Sequence, residues 1–150
     1  CSGECKALGQ ARRYRGQSAS DSQAQNRIAP IMVLVDTSIW VAHLRRGDRH
    51  LERLLMDTEV ICHPFIIGEL ACGNIVNRNE ILSLLKSLPS APVLEFDEFL
   101  FFIDENQLMR IGIGFVDVHI LASAKLSGTP LWTADKKLNS AASNLSLNYK

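Results

Sequence analysis

The chain is predicted to fold as an α/β domain, a three-layer α/β/α sandwich with a mainly parallel central sheet. Three observations carry that prediction. Short β-favouring runs alternate with segments of helical periodicity through most of the sequence. The first run, Ile31–Val35, is apolar without a break, as a strand covered on both faces requires. A length of 150 residues suits one domain with a sizeable core and leaves little room for two.

The elements follow in order. After the first strand, residues 37–45 read as a short helix, with Ile39, Trp40 and His43 at helical spacing, and Asp48–Met56 as another, with Leu51, Leu54 and Leu55 on one face. Val60–His63 is a short strand, and Pro64 suits the first turn of a helix reaching about Cys72. A helix over Glu80–Leu88 ends before Pro89 and Pro92. Pro92–Phe96 is expected to be a strand, followed by a helix capped by Asp97 whose Phe99, Phe102 and Ile103 form an apolar face. Gly112 and Gly114 interrupt the chain before a helix over Asp117–Leu126, which Gly128 stops. Leu131–Ala134 is a strand, Asp135 starts a further helix, and Leu145–Asn148 is a candidate edge strand. Right-handed crossovers would place helices on both faces of the sheet, and ligands in such folds collect beyond the carboxyl ends of the strands.

Residues 1–31 are set apart from this pattern. They are rich in Ser, Gln, Arg and Gly and have no apolar periodicity and no signal-peptide core, so they are expected to be a disordered basic tail or a non-native leader. Met32 is the expected natural start, with a nucleic-acid-binding arm as the alternative for the tail. Five bases (Lys6, Arg12, Arg13, Arg15, Arg27) against two acids (Glu4, Asp21) give the tail +3, so the net charge of zero conceals −3 on residues 32–150. Apolar residues at 47% and charged ones at 21% match soluble globular domains, which excludes collagen-like, mucin-like and disordered classes. No apolar run approaches the roughly 18 residues of a membrane span. Cys1, Cys5, Cys62 and Cys72 lack the spacing of a disulfide framework, and a reduced cytoplasmic setting is expected.

Four acids fall in strand-end territory. Asp36 ends the first strand in LVDTS, Glu69 lies in IIGEL beyond the second, Asp117 opens a helix in GFVDVHILASA, and Asp135 ends the late strand in LWTAD. Singly, each aspartate is explained as a helix cap worth about 1 kcal/mol, and Glu69 as a solvated helix residue. Together they would repel: a pair about 4 Å apart costs roughly 4 kcal/mol at an effective dielectric near 20. Such a cluster raises its own pKa values or recruits a cation. Carboxylate oxygens without His or Cys select Mg²⁺ or Mn²⁺ over zinc, and ions of that kind serve phosphodiester hydrolysis. Removing the four acids leaves eleven bases against ten acids in the domain, so the candidate site accounts for most of its negative charge. Arg45, Arg46, Arg49 and Arg53 either meet a phosphate backbone or form a solvated face with Asp48 and Glu52.

The order LVDTS, GEL, DVHILASA, LWTADKKL resembles the PIN-domain ribonucleases, most closely the VapC toxins of bacterial toxin–antitoxin pairs. The resemblance spans essentially all of residues 32–150 and none of the tail. Any one motif is weak; four in the right order are specific. It implies a PIN-like nuclease domain over 32–150 that cleaves single-stranded or loop RNA with Mg²⁺ or Mn²⁺. By the same resemblance, Asp36 and Asp117 are the acids most directly tied to metal, Glu69 is the helical glutamate, and Asp135 completes the pocket, often through water. Thr37 or Ser38, and Thr133, match the small hydroxyl positions beside them, although Thr37 could equally cap its helix. Four acids can hold one ion or two. Family members commonly form homodimers and are silenced by a cognate antitoxin whose tail blocks the acidic cleft.

Other readings are weaker on the residues. A dehalogenase-type phosphatase needs an acid where Ser38 stands, and a receiver domain needs an acidic pair where Asp36 stands alone. A DNA flap nuclease needs gripping elements for which the chain has no room. Cys62, His63 and Cys72 fit no common zinc spacing and are expected to be buried. His43 and His119 are expected to be packed or hydrogen-bonded, Trp40 and Trp132 to be core, and the Phe99–Phe102 group to be core or a dimer or antitoxin surface. A metal-dependent endoribonuclease toxin is thus the expected function, with a catalytically weak RNA- or protein-binding module of the same fold as the alternative.

Overall fold

The computed structural model describes residues 30–150, so the expectation for a tail over 1–31 falls almost wholly outside the described residues. Ten elements run in the order β1 (Val33–Val35), α1 (Thr37–Arg46), α2 (Arg49–Met56), β2 (Val60–Ile61), α3 (Pro64–Cys72), α4 (Arg78–Ser87), α5 (Phe96–Glu105), α6 (Phe115–Ser127), β3 (Leu131–Trp132) and α7 (Lys136–Asn144). The sheet is parallel, ordered β2-β1-β3, and flanked by helices as the α/β/α sandwich requires. Val33 and Leu34 pair with Val60 and Ile61 on one side; Leu34 and Val35 pair with Leu131 and Trp132 on the other. All three residues of β1 are buried, which explains a strand with no polar alternation.

Two expected strands do not form as such. Over 92–96 there is no strand; the chain touches the sheet earlier, through one bridge from Ser90 to Cys62. Pro89 and Pro92 remove backbone donors on either side of that bridge, and Phe96 already belongs to a helix. The segment 145–148 contributes one bridge, Asn148 to Leu131, with the Leu131 N–H donating to the Leu147 carbonyl at 2.6 Å. Helix α5 also starts before Asp97. Glu95 is its N-cap, and the Glu98 carboxylate accepts from the Glu95 N–H at 2.9 Å.

Helix α6 is the central helix. Val118 through Ala124 are all buried, as expected of a helix covered on every side. It packs against α3, α5 and α7, and Gly128 closes it in the left-handed region at φ 65°. Leu34, Leu51, Ile66, Ile120, Leu121, Leu131 and Leu138 are sealed from solvent between these helices and the sheet. Phe99 is buried, whereas Phe102 and Ile103 are half-buried and Phe101 is exposed, so α5 covers the core with only part of its apolar face.

A buried histidine joins α3 to α6. His63 caps α3 by accepting the Phe65 N–H on Nδ1 at 3.0 Å, which leaves Nε2 to donate to Ser123 Oγ at 3.0 Å. The Ser123 hydroxyl in turn reaches the carbonyls of Pro92 (2.6 Å) and His119 (2.8 Å). This pattern needs a neutral ring. Burial, with His119 nearby, pushes the His63 pKa down from 6.5 to about 4. The unfolded chain therefore takes up a proton that the folded one refuses between those values. The His63 contribution to stability is whole above the unfolded value and is lost as pH falls towards the folded one. Unfolding free energy from denaturant titration should fall with a slope of up to about 1.4 kcal/mol per pH unit across that window. Imidazole ¹⁵N shifts should show His63 still neutral, protonated on Nε2, at about pH 5.5; a charged ring there would contradict the account.

Candidate active site

From the central strand the chain moves to β2 on one side, while β3 arrives on the other. The carboxyl ends of β1 and β3 therefore flank a topological switch point, where crevices form in open parallel sheets. Asp36 leaves β1 at that point, its N–H held by the Trp132 carbonyl at 2.9 Å. Its side chain is 5% exposed, so its polar atoms need partners. Oδ2 accepts from Ser38 Oγ (2.6 Å), Thr133 Oγ1 (2.8 Å) and the Ser38 N–H (3.3 Å), the last making Asp36 the N-cap of α1. The hydroxyls are fixed in their turn: Ser38 Oγ accepts the Ala134 N–H and Thr133 Oγ1 the Asp135 N–H, each at 3.0 Å. Five residues at two strand ends thus share one network.

The other acids are anchored separately. Glu69 lies well inside α3 and is exposed; its Oε2 accepts from Thr37 Oγ1 at 2.5 Å. Thr37 therefore bridges α1 to α3, and the cap of α1 is Asp36. Asp117 is half-buried in the first turn of α6, not at its opening residue, and its Oδ2 accepts the Gly114 N–H at 3.0 Å. Asp135 is exposed and caps α7 through Oδ1, which accepts the N–H groups of Lys137 and Leu138 at 2.8 Å each. All four carboxylates thus follow one pattern: one oxygen is hydrogen-bonded, and the other has no protein partner among the described residues. None of those second oxygens is an unpartnered atom sealed from solvent.

Among the described residues, no three His, Cys, Asp or Glu side chains stand close enough together to grip an ion directly. The donor set remains one of hard oxygens, four carboxylates and three hydroxyls, which suits Mg²⁺ or Mn²⁺ held partly through water. Arg45 lines a groove of about 510 Å³ that begins at Thr37 and Glu69 and continues along Val41, Leu44 and Ile75. Arg46 and Arg49 are exposed at the turn between α1 and α2 and do not line that groove. Arg53 bonds His50 instead, Nη2 to Nδ1 at 3.1 Å.

Sequence reasoning passed over Lys137. Its side chain lies over Gly112, so close that a Cβ on that residue would come within 2.8 Å of the ammonium nitrogen. Gly112 has φ +79°, a conformation that favours glycine, whereas the flexible end of Lys137 could shift to admit a Cβ. A cation from α7 thereby reaches the loop that leads into α6 and Asp117. The LWTADKKL run held Lys137, but its contact with a glycine 25 positions earlier in the numbering left no local signal.

The remaining candidates resolve simply. Cys62 is buried, and burial pushes its thiol up to about 11, which makes it a poor metal ligand. His63 is buried as well, whereas Cys72, at the end of α3, is exposed, contrary to expectation. Its helix ends at the surface, where Gly73 turns away. His43 Nδ1 accepts the Asp48 N–H at 3.0 Å, and His119 is buried against Phe99, ring centres 4.1 Å apart, with its pKa lowered by burial. Trp40 is core; Trp132 is half-buried between His50 and Tyr149.

The PIN domain family model matches residues 33–144, a span holding all four acids. The chain is similar to Ribonuclease VapC32 of Mycobacterium tuberculosis, in strains CDC 1551 / Oshkosh and ATCC 25618 / H37Rv alike. Identity is 46% over 111 residues, 73% of this chain and 90% of the relative. Among solved structures, that of PAE2754 from Pyrobaculum aerophilum superposes with a TM-score of 0.55 at 20% identity, over 75% of this chain and 86% of that one, a likeness of fold.

The network around Asp36 predicts a stability effect. Ser38→Ala removes a donor to a buried carboxylate and strands the Ala134 N–H, so it should cost about 2 kcal/mol in denaturant unfolding. An unchanged midpoint would mean that water replaces the hydroxyl without loss.

Proposed function

Because this chain belongs to the PIN-domain family, among the VapC-type ribonucleases, we propose that it is a Mg²⁺- or Mn²⁺-dependent endoribonuclease, the toxin of a toxin–antitoxin pair. Residues 32–150 form the nuclease domain, and RNA is its substrate. The observation that carries this reading is the paired use of each acid: one oxygen is pinned by the fold and the other is left for a ligand. Asp36 and Asp117 hold the ion directly, while Glu69 and Asp135 act directly or through water. When bound there, such an ion supplies an activated water and offsets the charge that grows on the phosphoryl oxygens.

The protein groups do the positioning. Ser38 and Thr133 fix the orientation of Asp36, and Thr37 fixes Glu69. Arg45 meets the RNA backbone from the groove beside Glu69, with Arg46 and Arg49 extending the basic surface. The same groove, mostly apolar and ending at two site residues, suits a segment of a cognate antitoxin that blocks the acids. Exposed Leu100 and Phe101 on α5 support a homodimer. No helix among the described residues is long and apolar enough to cross a membrane. As a toxin whose substrate is cellular RNA, the protein is assigned to the cytoplasm.

One observation favours a second reading, a weakly catalytic module that binds RNA or protein: no three acids converge among the described residues. Cleavage of a mixed cellular RNA pool by the antitoxin-free chain separates the two. With Mg²⁺ or Mn²⁺ the RNA should be cut at defined positions, EDTA should stop it, and Asp117→Asn should lose cutting with its fold intact. No cutting by folded protein would favour the binding module. Mg²⁺ should also raise the melting temperature, since an ion at 100 times its dissociation constant stabilises by about 2.7 kcal/mol.

A further inference from the structure

The first residue of α6 is an aromatic that the core does not consume. Phe115 is 56% exposed although three rings hold it in place. Phe65 lies nearly parallel to it at 6.2 Å, Phe99 is tilted against it at 4.9 Å, and His119, one turn along the same helix, meets it edge-on at 4.6 Å. Phe99 and His119 are themselves buried and stacked. Phe115 is therefore a ring fixed on one side by a packed aromatic cluster and open to solvent on the other. Burial does not account for it, since an exposed phenyl forgoes most of the gain that burial gives.

Its neighbours carry the chemistry of a nucleotide. Asp117 is two residues on, in the same first turn of α6; residues two apart point to opposite sides of a helix, a cylinder about 10 Å across with its side chains. One nucleotide covers that span from its phosphate to the far edge of its base. Three residues before Phe115, Lys137 lies over Gly112 and brings a positive charge to the loop that leads into α6. A cation, an acid and an open aromatic face thus occur within six residues of chain and the helix facing them. Stacking on such a face tolerates any base and needs it unpaired.

We propose that the open face of Phe115 is a stacking platform for an unpaired base of the RNA, close to the phosphodiester that Asp117 addresses, and that Lys137 pairs with an adjacent phosphate. This rests on the nuclease reading for the nature of the ligand. It goes beyond that reading in naming a binding contact outside the acidic cluster.

The test measures binding apart from cleavage. The full chain carrying Asp117→Asn is titrated against a short, labelled, single-stranded RNA of mixed sequence, followed by anisotropy in Mg²⁺. Adding Phe115→Ala should weaken binding by about 5- to 150-fold, the range expected for one lost base stack. Phe115→Trp should hold or tighten it and keeps the variant set informative if the alanine variant is poorly folded. Met56→Ala removes an exposed apolar side chain at the end of α2, ahead of the amino end of β2, and should change nothing. In the otherwise unchanged protein, Phe115→Ala should raise KM for RNA with kcat little altered. Three results would overturn the proposal: unchanged RNA binding by Phe115→Ala, no RNA binding by the parent, or a loss of binding that tracks a change in molecular mass, which would make Phe115 a contact between copies. RNA bound through Phe115 but never cut by the wild-type chain would sink the nuclease reading and leave the platform standing.

Discussion

The carboxylate of Asp36 stands at the end of a strand buried on both faces, where a polar side chain needs partners close at hand. Everything around it answers that need. The Trp132 carbonyl fixes its backbone, Ser38 and Thr133 fix one of its oxygens, and both hydroxyls are locked by backbone N–H groups from residues 134 and 135. These ties hold β1 to β3 beyond the last ladder pair. They also set the entry of α1 and α7, since Asp36 caps the first and Asp135, on the same turn as Thr133, caps the second. A parallel sheet with a central strand this short depends on such end-pieces, and the site is built from them.

On the proposed function, stability and chemistry are served by the same atoms. Each of the four acids spends one oxygen on the fold, as a cap or as the acceptor for Thr37, and keeps the other. Asp-to-Asn changes at such positions leave a capping oxygen in place while removing the charge, which is why they separate function from folding more cleanly than alanine does. The anchors also keep the acids apart. Glu69 is held towards α1 and Asp117 towards the N-terminus of its own helix, an arrangement that limits mutual repulsion and suits an ion that retains several waters.

Much of this was legible in the residues, for reasons that can be named. An apolar run with no polar break marked β1, Pro64 marked the start of α3, and Gly128 the end of α6, because each is a local rule with little competition. The order of the four acids along the chain is what carried the resemblance to the PIN family, whose model spans all of them. The misreadings were of two kinds. Pro92–Phe96 and Leu145–Asn148 carry strand-like residues, but a strand needs a partner ladder; the first makes none, the sheet contact falling earlier at Ser90 between two prolines, and the second gains a single bridge at the edge. The second kind is tertiary. No local pattern says that Thr37 reaches Glu69, that Lys137 lies over Gly112, or that Phe115 stays half open beside a buried aromatic stack. Asp97 and Glu95 show the limit within one helix, since either acid suits a cap and the choice fell to the one that Glu98 supports.

The account stands on the unspent oxygens of Asp36 and Asp117 being the ligands of a divalent ion. The most direct measurement is an anomalous difference map from crystals of the full chain soaked in Mn²⁺. A peak at the carboxyl end of β1, in contact with both aspartates and absent from an Asp117→Asn crystal, is the predicted result. A saturating soak that leaves that position empty, or a peak that ignores Asp36 and Asp117, would contradict it.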